Sequence, residues 1–182
     1  RTFSGIDKKD AMVVGMIDYG TCSIDKVIPK EKSFLDGIRV IFKKHIMNEA
    51  LDFCSQIKAL GYKVFVQAVS VTSYNDEEFA MLLKRVNEVK PYAFSIVDTY
   101  GLLHKNQLIH YFKMADCGLV EEISLGYHSH NNFQLGYANC IELVEKKIKR
   151  QLLLDGSLYG MGKGAGNTPI ELLAMYMHEN YG

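Results

Sequence analysis

Two histidines set two residues apart, His128 and His130, close the stretch Leu125-Gly126-Tyr127-His128-Ser129-His130, after an apolar run from Val120 to Leu125 that reads as a strand. Side chains alternate along a strand, so both imidazoles point to one side. Two imidazoles aimed into one space suit a divalent transition metal. The plainer reading is two polar residues where a strand leaves the core. A second stretch, Asp155 to Asn167, holds five glycines between Gly156 and Gly166 and runs into Thr168-Pro169-Ile170-Glu171. That tetrad reads as a capping box with proline at the first helical position. Such a helix start offers backbone N–H groups to an anion. The run is not a Walker loop, because no Ser or Thr follows Lys163. Nor is it a dinucleotide fingerprint, because it follows the sixth strand and lacks the downstream acid.

The elements that must hold these residues repeat along the chain. Strands are expected near 11–17, 38–42, 63–69, 93–97, 120–125 and 151–154. Their starts are roughly 26 to 29 residues apart, room for one strand and one helix each time. Residues 21–36 read as loop with one helical turn. A helix with Ala50, Phe53, Cys54, Ile57 and Leu60 on its inner face stops at Gly61, and a second, capped by Asn75 or Asp76, turns Phe79, Leu82, Leu83 and Val86 inward. Asn106 is expected to cap a third helix with Ile109 and Phe112 inside. A fourth spans 134–149 with Ala138, Ile141, Val144 and Ile148 inside, and a last runs from Thr168 toward Glu179.

Such an alternation closes into an eight-stranded barrel or opens into a doubly wound sheet, and in both the ligands bind at the carboxyl ends of the strands. Those ends carry Asp18, Lys43 and Lys44, Ser70, Asp98 with Thr99, the histidine pair, and Asp155 to Asn167. Arg39 could orient a carboxylate with its forked donors or form a buried ion pair. His45, His104, His110 and His178 read as surface or helix residues.

The 182 residues suffice for one sizeable core, and no linker divides them, so residues 1–182 read as a single domain. Lys and Arg balance Asp and Glu at 21 each, which gives no electrostatic case for nucleic acid or an anionic membrane. No apolar run approaches the roughly 20 residues of a membrane helix. Arg1 to Asp10 is polar and lacks the apolar core of a signal peptide. Cys22, Cys54, Cys117 and Cys140 form no Cys-x-x-Cys pair and read as free thiols in a reducing cytoplasm.

The run His128-Ser129-His130-Asn131, followed by Gly160-Met161-Gly162-Lys163-Gly164-Ala165-Gly166-Asn167-Thr168-Pro169-Ile170-Glu171, resembles the metal-dependent aldolase and Claisen-type TIM-barrel family, which includes hydroxymethylglutaryl-CoA lyase and 4-hydroxy-2-oxovalerate aldolase. Its aldolase branch is the most similar. Asp98-Thr99 matches a motif of the sixth barrel strand, and Ile38-Arg39-Val40 fits the fourth less specifically.

The resemblance implies a (β/α)8 TIM barrel of which this chain lacks the first two strands, with Ala11 to Ile17 as the third. It implies that His128 and His130 bind Mn²⁺ or Mg²⁺, that Asn167 joins the metal shell, and that Thr99, with Arg39 nearby, contacts a small 2-oxo acid substrate. The family's aspartate ligand and adjacent arginine would lie before Arg1, and the general base is expected there too. The reaction implied is cleavage of a 4-hydroxy-2-oxo acid to pyruvate and an aldehyde through a metal-stabilised enolate. A Claisen-type synthase of an acyl-CoA and a 2-oxo acid, and a non-catalytic barrel serving binding or assembly, are the alternatives. The lyase's reactive cysteine is absent from the glycine loop, where Lys163 lies instead. A homo-oligomer or a dehydrogenase partner is the implied assembly, its binding region following Gly182.

Overall fold

The computed structural model describes residues 7–146 and 148–182; the polar start up to Ile6, and Lys147 in the expected fourth helix, lie outside the described residues. Six parallel strands pair in chain order: β1 (Val14–Asp18), β2 (Gly37–Phe42), β3 (Lys63–Ala68), β4 (Ala93–Asp98), β5 (Ser124–Ser129) and β6 (Leu152–Leu154). A doubly wound sheet needs a point where the order reverses. No reversal occurs here, so the units are successive staves of a barrel.

Five helices accompany the strands: α1 (Met47–Ala59), α2 (Asp76–Val89), α3 (Lys105–Gly118), α4 (Gly136–Val144) and α5 (Ile170–Tyr181). Each packs against the next. Between β1 and β2 the chain makes two short 3-10 turns, Ile24–Lys26 and Lys30–Lys32. The helices cover one face of the sheet. On that face Val40, Val66, Phe94, Ile96, Leu125 and Tyr127 are fully buried, with Leu51 and Ile57 of α1, Leu82 and Val86 of α2, Leu108 of α3 and Leu143 of α4. Phe79 is the hub of an aromatic group, its ring 5.1 Å from Tyr111, 6.1 Å from Phe94 and 6.4 Å from Tyr74.

Several boundaries differ from expectation. β5 starts at Ser124 and runs through His128, because Val120 to Glu122 turn before the strand. α3 is entered at His104 rather than Asn106, with the Gln107 side chain accepting from His104 N–H at 3.4 Å. The inner face of α4 carries Asn139, Cys140 and Leu143 rather than Ala138 and Val144. The expected box at Thr168 does not form: the hydroxyl of Thr168 pairs with that of Ser129 at 2.9 Å, and Glu171 accepts from the backbone of Tyr159. The box at Asn75 does form, closed reciprocally with Glu78.

Asp36 fastens the edge of the sheet. Its carboxylate accepts from Lys8 Nζ at 2.7 and 2.8 Å and from Val13 N–H at 3.0 Å, with Lys30 at 3.6 Å. The hydrogen bond from Lys8, then that from Val13, holds its pKa down at about 2. The ionised form is favoured in the folded state, so this contribution is complete above the ordinary aspartate value of about 3.9 and is lost as the pH falls toward 2. Asp36→Asn is therefore expected to flatten the fall in stability across that acid window, read from denaturant midpoints at successive pH values. In the core, Phe79→Ala is expected to cost about 3–5 kcal/mol, whereas Asn75→Ala, which removes only the cap, costs about 1 kcal/mol. Equal shifts for the two in urea unfolding would contradict this assignment of the core.

Candidate functional site

The face of the sheet turned away from the helices is polar. Partners in a parallel ladder share a face, and the register aligns Ile41, Gln67, Ser95 and Gly126 in one row. Arg39 lies two residues before Ile41, His128 two after Gly126, and Asp155 two after Leu153, the partner of Gly126. All of them point inward.

Across this face Arg39 grips Asp155 with both terminal nitrogens, at 2.8 and 3.0 Å. β2 and β6 are four strand spacings apart, about 19 Å in a flat sheet. Two side chains cannot span that, so the pair shows how tightly the sheet curls. Gln67 donates to Ser95 Oγ at 3.3 Å and approaches Asp155 at 3.5 Å. Burial pushes the Asp155 carboxyl up, but the hydrogen bond from His128 and the charge of Arg39 outweigh it and hold the group below the usual carboxylate range.

Asp155 Oδ2 also lies 3.0 Å from His128 Nδ1. His130, one residue past the end of β5, is bridged to Asn167, and its Nδ1 lies 3.0 Å from the carbonyl of Lys163. An ionised carboxylate and a backbone carbonyl only accept. In its neutral form each histidine therefore carries its proton on Nδ1, which leaves Nε2 with the free lone pair. The two rings are 5.4 Å apart between centroids.

The glycine loop brings Asn167 to the same place. Asn131 N–H donates to Gly166 O at 2.8 Å, and Asn167 N–H to Gly160 O at 2.9 Å. Gly166 has φ +85°, and a Cβ there would stand 2.2 Å from Gly160 O, so no other residue fits. The Asn167 side chain donates from Nδ2 to Met161 O at 3.2 Å, while its Oδ1 is buried with no partner. A buried acceptor left open asks for a ligand.

Thr99 stands beside this group. Its Oγ1 accepts from Ser70 N–H at 2.7 Å, which leaves its own proton to donate. A cleft of about 340 Å³ is lined by Thr99, Tyr100, His130, Asn132, Lys163, Gly164 and Ala165. Asp98, its neighbour in sequence, is buried and structural: its carboxylate accepts from Leu102 and Leu103 N–H, and its carbonyl accepts from His130 N–H.

The structure thus brings together Arg39, Thr99, His128, His130 and Asn167, all picked out from sequence. Arg39 takes the ion-pair alternative. The sequence marks Asp155 only as a strand end and does not single out Gln67. Asp155 would have been found by carrying the two-residue period past Leu153. The remaining histidines, His45, His104, His110 and His178, are exposed. The buried thiols Cys54 and Cys140 are pushed up to about 12 by burial, which keeps them out of ligand or nucleophile chemistry.

Among the described residues, no group of three or more His, Cys, Asp or Glu side chains is placed to hold a metal ion. The groups here with the chemistry to bind a divalent cation are two imidazole nitrogens and the buried, unpartnered Asn167 oxygen. The acceptors behind the two Nδ1 atoms are the outer-shell partners that metal-ligating histidines use.

A curled sheet of β/α units with its polar site at the carboxyl ends of the strands defines the class, a TIM-type barrel. Solved structures agree. The hydroxymethylglutaryl-CoA lyase of Bacillus subtilis superposes with a TM-score of 0.74 at 16% identity, covering 96% of this chain and 65% of the lyase chain. The carboxyl transferase domain of Rhizobium etli pyruvate carboxylase superposes with a TM-score of 0.72 at 12% identity, covering 93% and 31%. Residues 20–181 match the HMGL-like family, and the chain belongs to it. A 4-hydroxy-2-oxovalerate aldolase from Marinomonas sp. (strain MWYL1) is 42% identical over 175 residues, 93% of this chain and 49% of that protein. An oxaloacetate decarboxylase from Mycobacterium tuberculosis is 28% identical over 140 residues, 77% of this chain and 40% of that protein. The chain therefore spans less than half the length of either relative.

Arg39→Met is expected to destabilise the fold at the low end of the about 3–5 kcal/mol lost when one partner of a buried pair is removed, since both side chains keep some exposure. The double variant Arg39→Met/Asp155→Leu is expected to recover much of that loss. It should still bind Mn²⁺ about 10- to 100-fold more weakly, because His128 has lost its orienting acceptor. Recovery of metal affinity together with stability would remove Asp155 from the site's machinery.

Proposed function

We propose that the protein is a divalent-metal-dependent carbon–carbon lyase that cleaves or forms a 4-hydroxy-2-oxo acid, with pyruvate and an aldehyde as the other side of the reaction. The observation that carries this reading is the pair of histidines whose Nδ1 atoms lie against Asp155 and the Lys163 carbonyl, with the unpartnered Asn167 oxygen on the loop bridged to His130. The similarity to the Marinomonas aldolase supports it.

In the cleavage direction a general base takes the 4-hydroxyl proton, the C3–C4 bond breaks, and the aldehyde leaves. The electron pair stays on the pyruvate fragment, whose C3 is then protonated. His128, His130 and Asn167 would hold a divalent cation such as Mn²⁺ or Mg²⁺, which would supply positive charge to offset the electron pair delocalised from C3 onto the 2-oxo oxygen. The chain's own groups do the rest. Asp155 and the Lys163 carbonyl fix the tautomer and direction of the two imidazoles. Thr99 donates its free proton to a substrate oxygen. Lys163 sets a positive charge on the wall of the cleft, where it offsets the 2-oxo acid's carboxylate. The four cysteines are free, which supports a reducing compartment such as the cytoplasm. Loss of CO₂ from oxaloacetate, the reaction in the name of the Mycobacterium relative, leaves the same electron pair on the same fragment, so that substrate is the natural competitor.

The test is exchange of the pyruvate methyl protons in D₂O by the full-length protein with Mn²⁺, followed by NMR. Exchange is expected, with EDTA abolishing it and His128→Ala slowing it at least about a hundredfold. Exchange indifferent to both would sink the reading. Faster turnover of oxaloacetate than of any 4-hydroxy-2-oxo acid would replace the aldolase with the decarboxylase.

A further inference from the structure

A larger cavity, of about 750 Å³, opens beside the histidine cleft, and Tyr100 lines both. Its walls come from the β2–α1 connection (Lys43, Lys44, His45) and the β3–α2 connection (Val69, Ser70, Thr72, Ser73). Three basic residues and four hydroxyl-bearing residues, Tyr100 among them, line one space, and no acidic residue lines it. The chain as a whole is neutral, so this is local enrichment rather than background.

All of these donors but Lys44 are unspent on the protein. Lys44 is committed to Glu78 and to Ser73 O. The side chains of Lys43 and His45 are exposed and have no hydrogen-bonding or ionic partner among the described residues, and neither do the hydroxyls of Ser70, Thr72 and Ser73. Ser70 adds an independent sign. It sits in the left-handed region at φ 58°, ψ 55°, which residues other than glycine seldom adopt. Strain of this kind gathers at ligand sites. What pins Ser70 is Thr99 Oγ1, the hydroxyl assigned to the 2-oxo acid. The two cavities are thus joined by a hydrogen bond as well as by Tyr100.

We propose that this second cavity receives a phosphate group carried on the aldehyde fragment of the substrate. With the 2-oxo acid end held at Thr99 and the histidines, the far end of a longer substrate passes Tyr100 into a pocket of ammonium, imidazole and hydroxyl donors. Such donors wrap a phosphate. A phosphate's three terminal oxygens take more of these donors at once than the two of a carboxylate. The inference rests on the aldolase reading for which end of the substrate lies where.

Two measurements on the full-length protein test it. Inorganic phosphate is titrated calorimetrically into wild type and the Lys43→Gln/His45→Gln variant, whose altered side chains are exposed and leave the core untouched. Aldol addition of pyruvate is then compared between glyceraldehyde 3-phosphate and glyceraldehyde. Phosphate affinity is expected to fall at least tenfold in the variant. The wild-type preference in kcat/KM for the phosphorylated aldehyde, at least tenfold, is expected to collapse with it. Equal phosphate affinity in the two proteins overturns the site, whether or not aldol addition occurs. A preference for succinic semialdehyde over glyceraldehyde 3-phosphate overturns the choice of phosphate over carboxylate. Absence of pyruvate exchange and of aldol addition, with phosphate affinity still lost in the variant, overturns the aldolase reading and leaves the phosphate site standing.

Discussion

The ion pair between Arg39 and Asp155 is the constraint on which the site depends. It joins a side chain of β2 to the residue that follows β6, across the hollow of the sheet. Charges taken out of water must be compensated by several good bonds or they destabilise the fold. Here the compensation is dense: two nitrogens of the guanidinium on one side, His128 on the other, and Gln67 nearby. The same carboxylate therefore serves curvature and chemistry. It closes the strands toward one another, and it fixes the proton of His128 on Nδ1.

Around that point the work is divided between strands and loops. β5 supplies direction: His128 lies within it and His130 just past its end, so both rings inherit the two-residue period of a rigid strand. The glycine loop supplies what no strand could, a side-chain oxygen and a backbone carbonyl arriving from above. It folds back closely enough that Gly166 must be glycine. Gly101, at φ +64°, does the same on the other flank, where a Cβ would meet the carbonyl of His130 at 2.3 Å. His130 is thus held from three directions, by Asp98, by the Gly101 turn and by the loop that carries Asn167.

Much of this was legible from residue order. The strands follow from β-branched and aromatic runs at even intervals, and the histidine pair from the alternation of side chains. What could not be read has local causes. β6 is three leucines, so it has no polar–apolar alternation to reveal which way Asp155 points. α4 has apolar residues on most of its circumference, which let Ala138 and Val144 pass for the inner face that Cys140 and Leu143 occupy. Thr168 has the chemistry of a cap, but Ser129 is buried against it and takes its hydroxyl. The basic wall at Lys43 to His45 was visible as residues. It became a candidate site only when the fold set it against Ser70 and Tyr100.

We propose that Asp155 and the carbonyl of Lys163 hold both histidines with Nε2 turned toward one shared ion. Nitrogen-15 NMR of the histidine rings in the full-length protein, before and after addition of a diamagnetic divalent cation such as Mg²⁺ or Zn²⁺, measures this directly. His128 and His130 are both expected to show a protonated Nδ1 and a bare Nε2 without metal, with only the two Nε2 resonances moving strongly when the cation is added. A protonated Nε2 on either ring, or a shift confined to one of them, would contradict it.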